Sequence, residues 1–132
     1  MNHQIKRERT LEATKSFREA GNRQFSLKDY AVSVETYTQS ILSCPLDNDV
    51  ELSLALANRS AALFHLDLFE DCLRDIKMAI AKNYPNHLLP KIMIRKVKSL
   101  KKLGLVEDFQ TALEELEGAM GTMQVSEKGN VV

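Results

Sequence analysis

Tryptophan is absent from the 132 residues, and proline and glycine are scarce, at 3 and 5. That scarcity argues against a loop-rich or β-rich fold. Cysteine occurs twice, at Cys44 and Cys72. Two thiols form neither a disulfide framework nor a metal set, and a reducing compartment is the simpler setting. Neither sign of charge dominates, since 18 Lys and Arg are matched by 18 Asp and Glu. The whole chain therefore offers no bulk attraction for nucleic acid or an acidic membrane. No apolar run is long enough to span a bilayer. The start, Met1 to Lys6, lacks the apolar core of a secretory leader, and no glycine follows Met1 to accept a myristoyl group. These absences lead us to expect a soluble cytoplasmic protein, with the nucleus also open to it.

What the chain does contain is helical periodicity. Residues 1–9 read as a disordered basic tail carrying Lys6, Arg7 and Arg9. From Thr10, apolar and small residues recur at three- and four-residue steps through Leu11, Thr14, Phe17, Gly21 and Phe25. Asp29 reads as the N-cap of a second helix, which Cys44-Pro45 ends. Asp47-Asn48-Asp49 starts a third, Asp67 caps a fourth, and Tyr84-Pro85-Asn86 punctuates before a fifth. That fifth helix is expected over about 88–103, and a sixth from near Val106.

These six helices repeat as three pairs. Gly21, Ser60 and Val97 occupy equivalent places in the first helix of each pair, and Ser33, Cys72 and Phe109 in the second, at offsets of 39 and 37 residues. The expected fold is all-α, three tandem helix-turn-helix hairpins in a right-handed superhelical stack. The repeat domain spans 10–117, divided as 10–45, 48–83 and 86–117, and 118–132 is expected to be a flexible tail. Three hairpins are about the minimum that can bury one another's apolar faces.

Five donor side chains recur near the starts of these units: Arg18 and Asn22, then Asn58, then Lys91 and Arg95. Both pairs are spaced i, i+4 and so share a helical face. In a stack of parallel hairpins the five would line one groove with two guanidiniums, an ammonium and two amides. Such a donor set suits a carboxylate.

Gly21-Asn22, Tyr30, Tyr37 and Pro45, with Phe17 ahead of them, make the first unit resemble a tetratricopeptide repeat; Gln24, Ser33 and Ser40 depart from that pattern. The offsets slightly exceed the ~34 residues usual for such repeats. The five donors, with the words Gly21-Asn22 and Asn58-Arg59-Ser60-Ala61-Ala62, match the carboxylate clamp of co-chaperone tetratricopeptide domains, Arg18 standing for a lysine. The resemblance implies a protein-interaction module, not an enzyme. It would bind the acidic C-terminal tails of Hsp90- or Hsp70-type chaperones, with Phe25 and Ala61 as apolar contacts for the peptide. Leu56 to Leu66, Cys72-Leu73, Asp75-Ile76, Tyr84-Pro85, Pro90 to Ile92 and Arg95-Lys96 also resemble the N-terminal repeat region of the SET and MYND domain-containing protein 4 family. Those proteins are predicted lysine methyltransferases. This second likeness implies an alternative role, a substrate-recruiting or regulatory arm that holds a client protein.

Plainer readings stand beside these. Arg18 on its own reads as a solvated charge, and Asn58 as a hydrogen bond between hairpins. Lys91 to Lys102 holds six cations and no acid, which allows an anchor on anionic membrane or nucleic acid. The cheaper reading is neutralisation by Glu107, Asp108, Glu114, Glu115 and Glu117 on the next helix. His65 reads as a core or edge histidine and Cys72 as a buried thiol. No catalytic pair, metal set or cofactor loop is visible. Val106, Phe109, Leu113 and Leu116 would leave an apolar strip for a partner, for self-association through the last helix, or for Met120, Met123 and Val125 folding back.

Overall fold

A computed structural model describes residues 8–131, with side-chain environments through residue 121. The described residues form six α-helices and no strand: α1 (Leu11–Ser26), α2 (Tyr30–Ser43), α3 (Asp49–His65), α4 (Phe69–Ala81), α5 (Leu89–Leu103) and α6 (Val106–Val131). The chain divides into two compact units, Met1–Tyr84 and Pro85–Val132. The first holds the α1–α2 and α3–α4 hairpins; the second holds a short 3-10 turn at Asn86–Leu88 and the α5–α6 hairpin.

The helix ends follow from local chemistry. Thr10 caps α1 by accepting from the Ala13 N–H at 3.0 Å, and Asn48 caps α3 by accepting from the Glu51 N–H at 3.3 Å. Cys44 ends α2 in extended conformation (ψ 130) ahead of Pro45. The turns inside the three hairpins each need one left-handed residue. Lys28 (φ 63), Asp67 (φ 61) and Gly104 (φ 72) supply it, and they lie 39 and then 37 residues apart, the same offsets as the sequence repeat. After each, an amide reaches back five residues: Asp29 to the Gln24 carbonyl (2.9 Å), Leu68 to Leu63 (3.0 Å) and Leu105 to Leu100 (3.1 Å). These Schellman-type closures satisfy carbonyls that a helix end otherwise leaves unpaired. Asp67 is therefore not the cap of α4. That place falls to Leu68, without a side-chain bond, because the turn uses Asp67 for its left-handed backbone, which Asp tolerates better than most residues. Asp29 does occupy the N-cap of α2, but its side chain makes no cap bond.

Two further boundaries differ from expectation. The glycines at 118 and 121 do not end the last helix, since α6 continues to Val131. An interior glycine costs about 1 kcal/mol relative to alanine, a penalty that does not by itself stop a helix. Of the 1–9 tail, residues 1–7 lie outside the described residues. Arg9 is tied down: its Nη1 donates to the Cys44 carbonyl at 3.0 Å, at the end of α2.

The first unit is packed closely enough to require small residues. A Cβ on Gly21 would lie 2.5 Å from the Tyr37 ring, so α1 and α2 approach at that point only without a side chain on residue 21. Ser40, a departure from the usual repeat pattern, donates to the Thr14 carbonyl of α1 at 2.6 Å in the buried seam. Ser33 donates to Tyr30 one turn back at 2.9 Å. Arg59 of α3 forms a bidentate pair with buried Asp75 of α4, at 2.7 and 2.8 Å, and its third nitrogen donates to Thr38 Oγ1 of α2 at 3.2 Å. One guanidinium thus joins three helices, and hydrogen bonding to Asp75 raises its pKa further, so it remains charged. Leu56, Cys72 and Ile76 complete the buried interior around it. In the second unit Ile92, Val97 and Leu100 of α5 and Ala112 and Leu116 of α6 are buried.

Substituting Gly21→Ala should destabilise the chain by about 1–3 kcal/mol through overpacking against Tyr37. Urea denaturation followed by circular dichroism measures this, and the double change Gly21→Ala with Tyr37→Leu should recover part of the loss.

Candidate functional site

The site residues of the first unit lie on α1 and α3, and a hydrogen-bonded triad joins them. The Tyr37 hydroxyl donates to Asn22 Oδ1 at 2.6 Å, and Asn58 Nδ2 donates to the same oxygen at 3.2 Å. As placed, the Asn22 oxygen accepts both bonds, and turning its amide over would require the Asn58 amide to turn as well. With its oxygen doubly engaged, Asn22 keeps its NH2 as the donor end for a ligand, on an exposed residue. The hydrogen bond between hairpins, read from the sequence as the plain role of Asn58, is thus present. It also fixes the two amides side by side.

Arg18 is not a solvated charge. Its Nη1 bonds Glu51 Oε2 of α3 at 2.8 Å, both side chains 17% exposed. Phe25 is half-buried and meets Tyr30 and His65 edge-on, with centroids 5.2 and 5.4 Å away. His65 is exposed and stacks on the half-buried Tyr30 at 4.5 Å and 5°, so it is an edge histidine. Ala61 is half-buried on α3.

In the second unit Lys91 is exposed and Arg95 half-buried, one turn apart on α5. Lys91, Lys98, Lys101 and Lys102 are exposed, while Lys96 approaches Glu115 of α6 at 4.0 Å, one contact of the expected neutralising kind. The apolar strip of α6 is not continuous. Val106 is 63% exposed, but Leu116 is buried. A groove of about 270 Å³ opens at the start of α6, between Leu100, Gly104, Leu105, Val106 and Phe109. Met123 and Val125 lie beyond the described side chains.

Sequence reasoning missed Glu51, Tyr37 as the partner of Asn22, and the Arg59–Asp75 pair. Asp75 carried a signal, because an acid beside Ile76 on an apolar stripe needs a buried partner. Glu51 carried none, since an acid three residues after Asn48 reads as a capping element. Both cysteines are buried. The Cys44 thiol lies within reach of the Asn48 carbonyl at 3.5 Å, and burial pushes its pKa up. Among the described residues no group of three His, Cys, Asp or Glu could hold a metal, and no helix is long and apolar enough to cross a membrane.

This fold is shared with a solved structure, the first TPR of Spaghetti (RPAP3) bound to the HSP90 peptide SRMEEVD. The TM-score is 0.69 at 20% identity, covering 95% of this chain and 98% of that one. The chain has the helical-hairpin fold of a tetratricopeptide repeat domain. Its sequence places it near protein-lysine N-methyltransferase SMYD4. It is 44% identical to that of Gallus gallus over 108 residues, 82% of this chain and 14% of the relative. It is 43% identical to that of Homo sapiens over 101 residues, 76% and 12% of the two lengths. Mitochondrial import receptor subunit TOM70 of Homo sapiens is 30% identical over 113 residues, 83% of this chain and 18% of the receptor. The chain therefore spans a small part of the curated relatives it matches. No family model matches it.

Burial raises the Tyr37 pKa from 10.0 to about 12. A phenol whose folded pKa is raised favours the folded state fully below pH 10 and loses that contribution as the pH climbs toward 12. Ultraviolet titration should show a late tyrosine near pH 12, missing in Tyr37→Phe, with stability declining over pH 10–12 more steeply in the wild type than in the variant.

Proposed function

We propose that the domain binds acidic C-terminal peptides, the tails of Hsp90- or Hsp70-type chaperones, through Arg18, Asn22, Asn58, Lys91 and Arg95. The observation that carries this reading is the Asn22–Asn58 amide pair, 3.2 Å apart across α1 and α3, locked by Tyr37 with donor hydrogens to spare. Two fixed amides suit a terminal carboxylate and the last peptide units, because their orientation is set before the ligand arrives. Lys91 and Arg95, one turn apart on α5, supply the charge that an acidic side chain or second carboxylate needs. Each charge-assisted hydrogen bond contributes about 1.5–3 kcal/mol. Phe25 and Ala61 offer apolar surface for an aliphatic side chain near the peptide end. The HSP90 peptide held by the Spaghetti repeat domain supports the choice of ligand. In this reading the domain is a co-chaperone-type module of the cytoplasm.

A second reading is favoured by the similarity to SMYD4, within which the matched region is 14% of the length. There the same surface recruits a substrate or regulator to a SET and MYND methyltransferase-type protein.

Titration of the whole chain with a labelled acidic tail peptide, beside the same peptide amidated at its C-terminus, separates these. The clamp predicts binding of the free acid only, weakened by salt. Lys91→Ala and Arg95→Ala should each weaken it at least about tenfold, one charge-assisted bond's worth, with unchanged circular dichroism. Equal binding of both peptides, or a bound protein insensitive to Arg95→Ala, would favour the recruiting arm.

A further inference from the structure

Two arginine–carboxylate pairs sit in the first unit, and they differ in kind. Arg59 grips Asp75 with two parallel bonds, and Asp75 is 5% exposed. That pair is part of the interior. Arg18 meets Glu51 through Nη1 and Oε2 at 2.8 Å, with both side chains 17% exposed. A one-armed pair near the surface is broken more readily than a buried fork.

The position of Glu51 explains why its carboxylate is available. It lies in the first turn of α3, where its backbone N–H is taken by the Asn48 side chain at 3.3 Å. In a reciprocal capping box its carboxylate would return to the Asn48 N–H. Here that N–H donates to the Pro45 carbonyl at 3.1 Å instead, and Glu51 reaches α1.

Arg18 stands one helical turn before Asn22, whose amide faces Asn58. An acidic ligand arriving at those amides would meet an arginine that already holds a carboxylate. We infer that Glu51 is an internal competitor for the ligand carboxylate at Arg18, and so a specificity-determining residue of the site. This rests on the peptide-binding reading above for the identity of the ligand. While Glu51 is in place, Arg18 and Glu51 together are neutral, and a second carboxylate at Arg18 is opposed by the first. Binding at this end then depends on the neutral amides of Asn22 and Asn58. Ligands that hold on elsewhere strongly enough to displace Glu51 are favoured over a lone small anion. The Arg-for-Lys difference bears on this directly. A guanidinium presents several fixed N–H groups, so the ligand and Glu51 compete for geometry as well as charge.

The test uses the whole chain as wild type, as Glu51→Gln, as Glu51→Asp, whose shorter side chain withdraws the carboxylate, and as Arg18→Ala with Glu51→Gln. Two probes are titrated, the free-acid peptide and succinate, while NMR follows the Arg18 Nε–H signal. Expected is a succinate-dependent shift of that signal in Glu51→Gln, weaker in Glu51→Asp and absent from the wild type. Peptide binding should tighten roughly three- to tenfold in Glu51→Gln, a gain the double variant lacks. If wild type and Glu51→Gln respond alike to succinate at Arg18, including no response in either, the competitor role is overturned. Peptide that binds wild type and Glu51→Gln equally tightly overturns it too, while leaving the clamp standing. A succinate shift confined to the Glu51 variants, with no peptide bound by any protein, keeps the masked anion site and removes the chaperone-tail ligand.

Discussion

The close approach of α1 to α2 at Gly21 sets the geometry of the candidate site. Only glycine admits the Tyr37 ring there, since a Cβ would stand 2.5 Å from it. The ring delivers its hydroxyl to Asn22 at 2.6 Å, and the same Asn22 oxygen receives Asn58 from the next hairpin. A contact that looks like packing thus fixes the orientation of a polar pair. It also orders the energetics: the phenol is dehydrated, which holds it protonated, and a protonated phenol is what points the Asn22 NH2 away from the interior. Loss of the glycine would push the ring, and with it the amides, out of register.

Charge in the first unit is used in two ways. Arg59 and Asp75 tie α3 to α4 and, through Thr38, to α2, with every polar atom named here hydrogen-bonded. A buried pair of this kind gains little over an apolar core, but breaking it leaves an uncompensated charge. Arg18 and Glu51 bridge α1 and α3 in a looser, part-exposed contact. The first pair holds the interior of the unit together, and the second lies nearer its surface.

Most of the fold was legible from the sequence because helical hairpins repeat their punctuation. The onset of periodicity at Thr10, the Asp47-Asn48-Asp49 start and Cys44-Pro45 marked helix ends that the structure keeps. The offsets of 39 and 37 residues returned as the spacing of the left-handed turn residues Lys28, Asp67 and Gly104. Asp67 was misread because the same residue type serves caps and left-handed turns, and only the closure from Leu68 to Leu63 decides between them. The end of α6 was misread because glycine weakens a helix without stopping it. At the candidate site, Asn22 was legible through its spacing from Arg18 and the clamp resemblance, and Asn58 also as a residue type that gains little inside a helix. Glu51 was not, because its pairing with Arg18 spans 33 residues and depends on Asn48 finding another partner.

The central claim is that the Asn22–Asn58 pair receives a ligand carboxylate. It is tested most directly by following the side-chain amide signals of Asn22 and Asn58 in NMR as free-acid tail peptide is added. If the pair is the carboxylate site, both signals move together along one saturation curve, and the amidated peptide moves neither. Saturation of the Lys91 and Arg95 signals with both asparagine amides unmoved would contradict the claim.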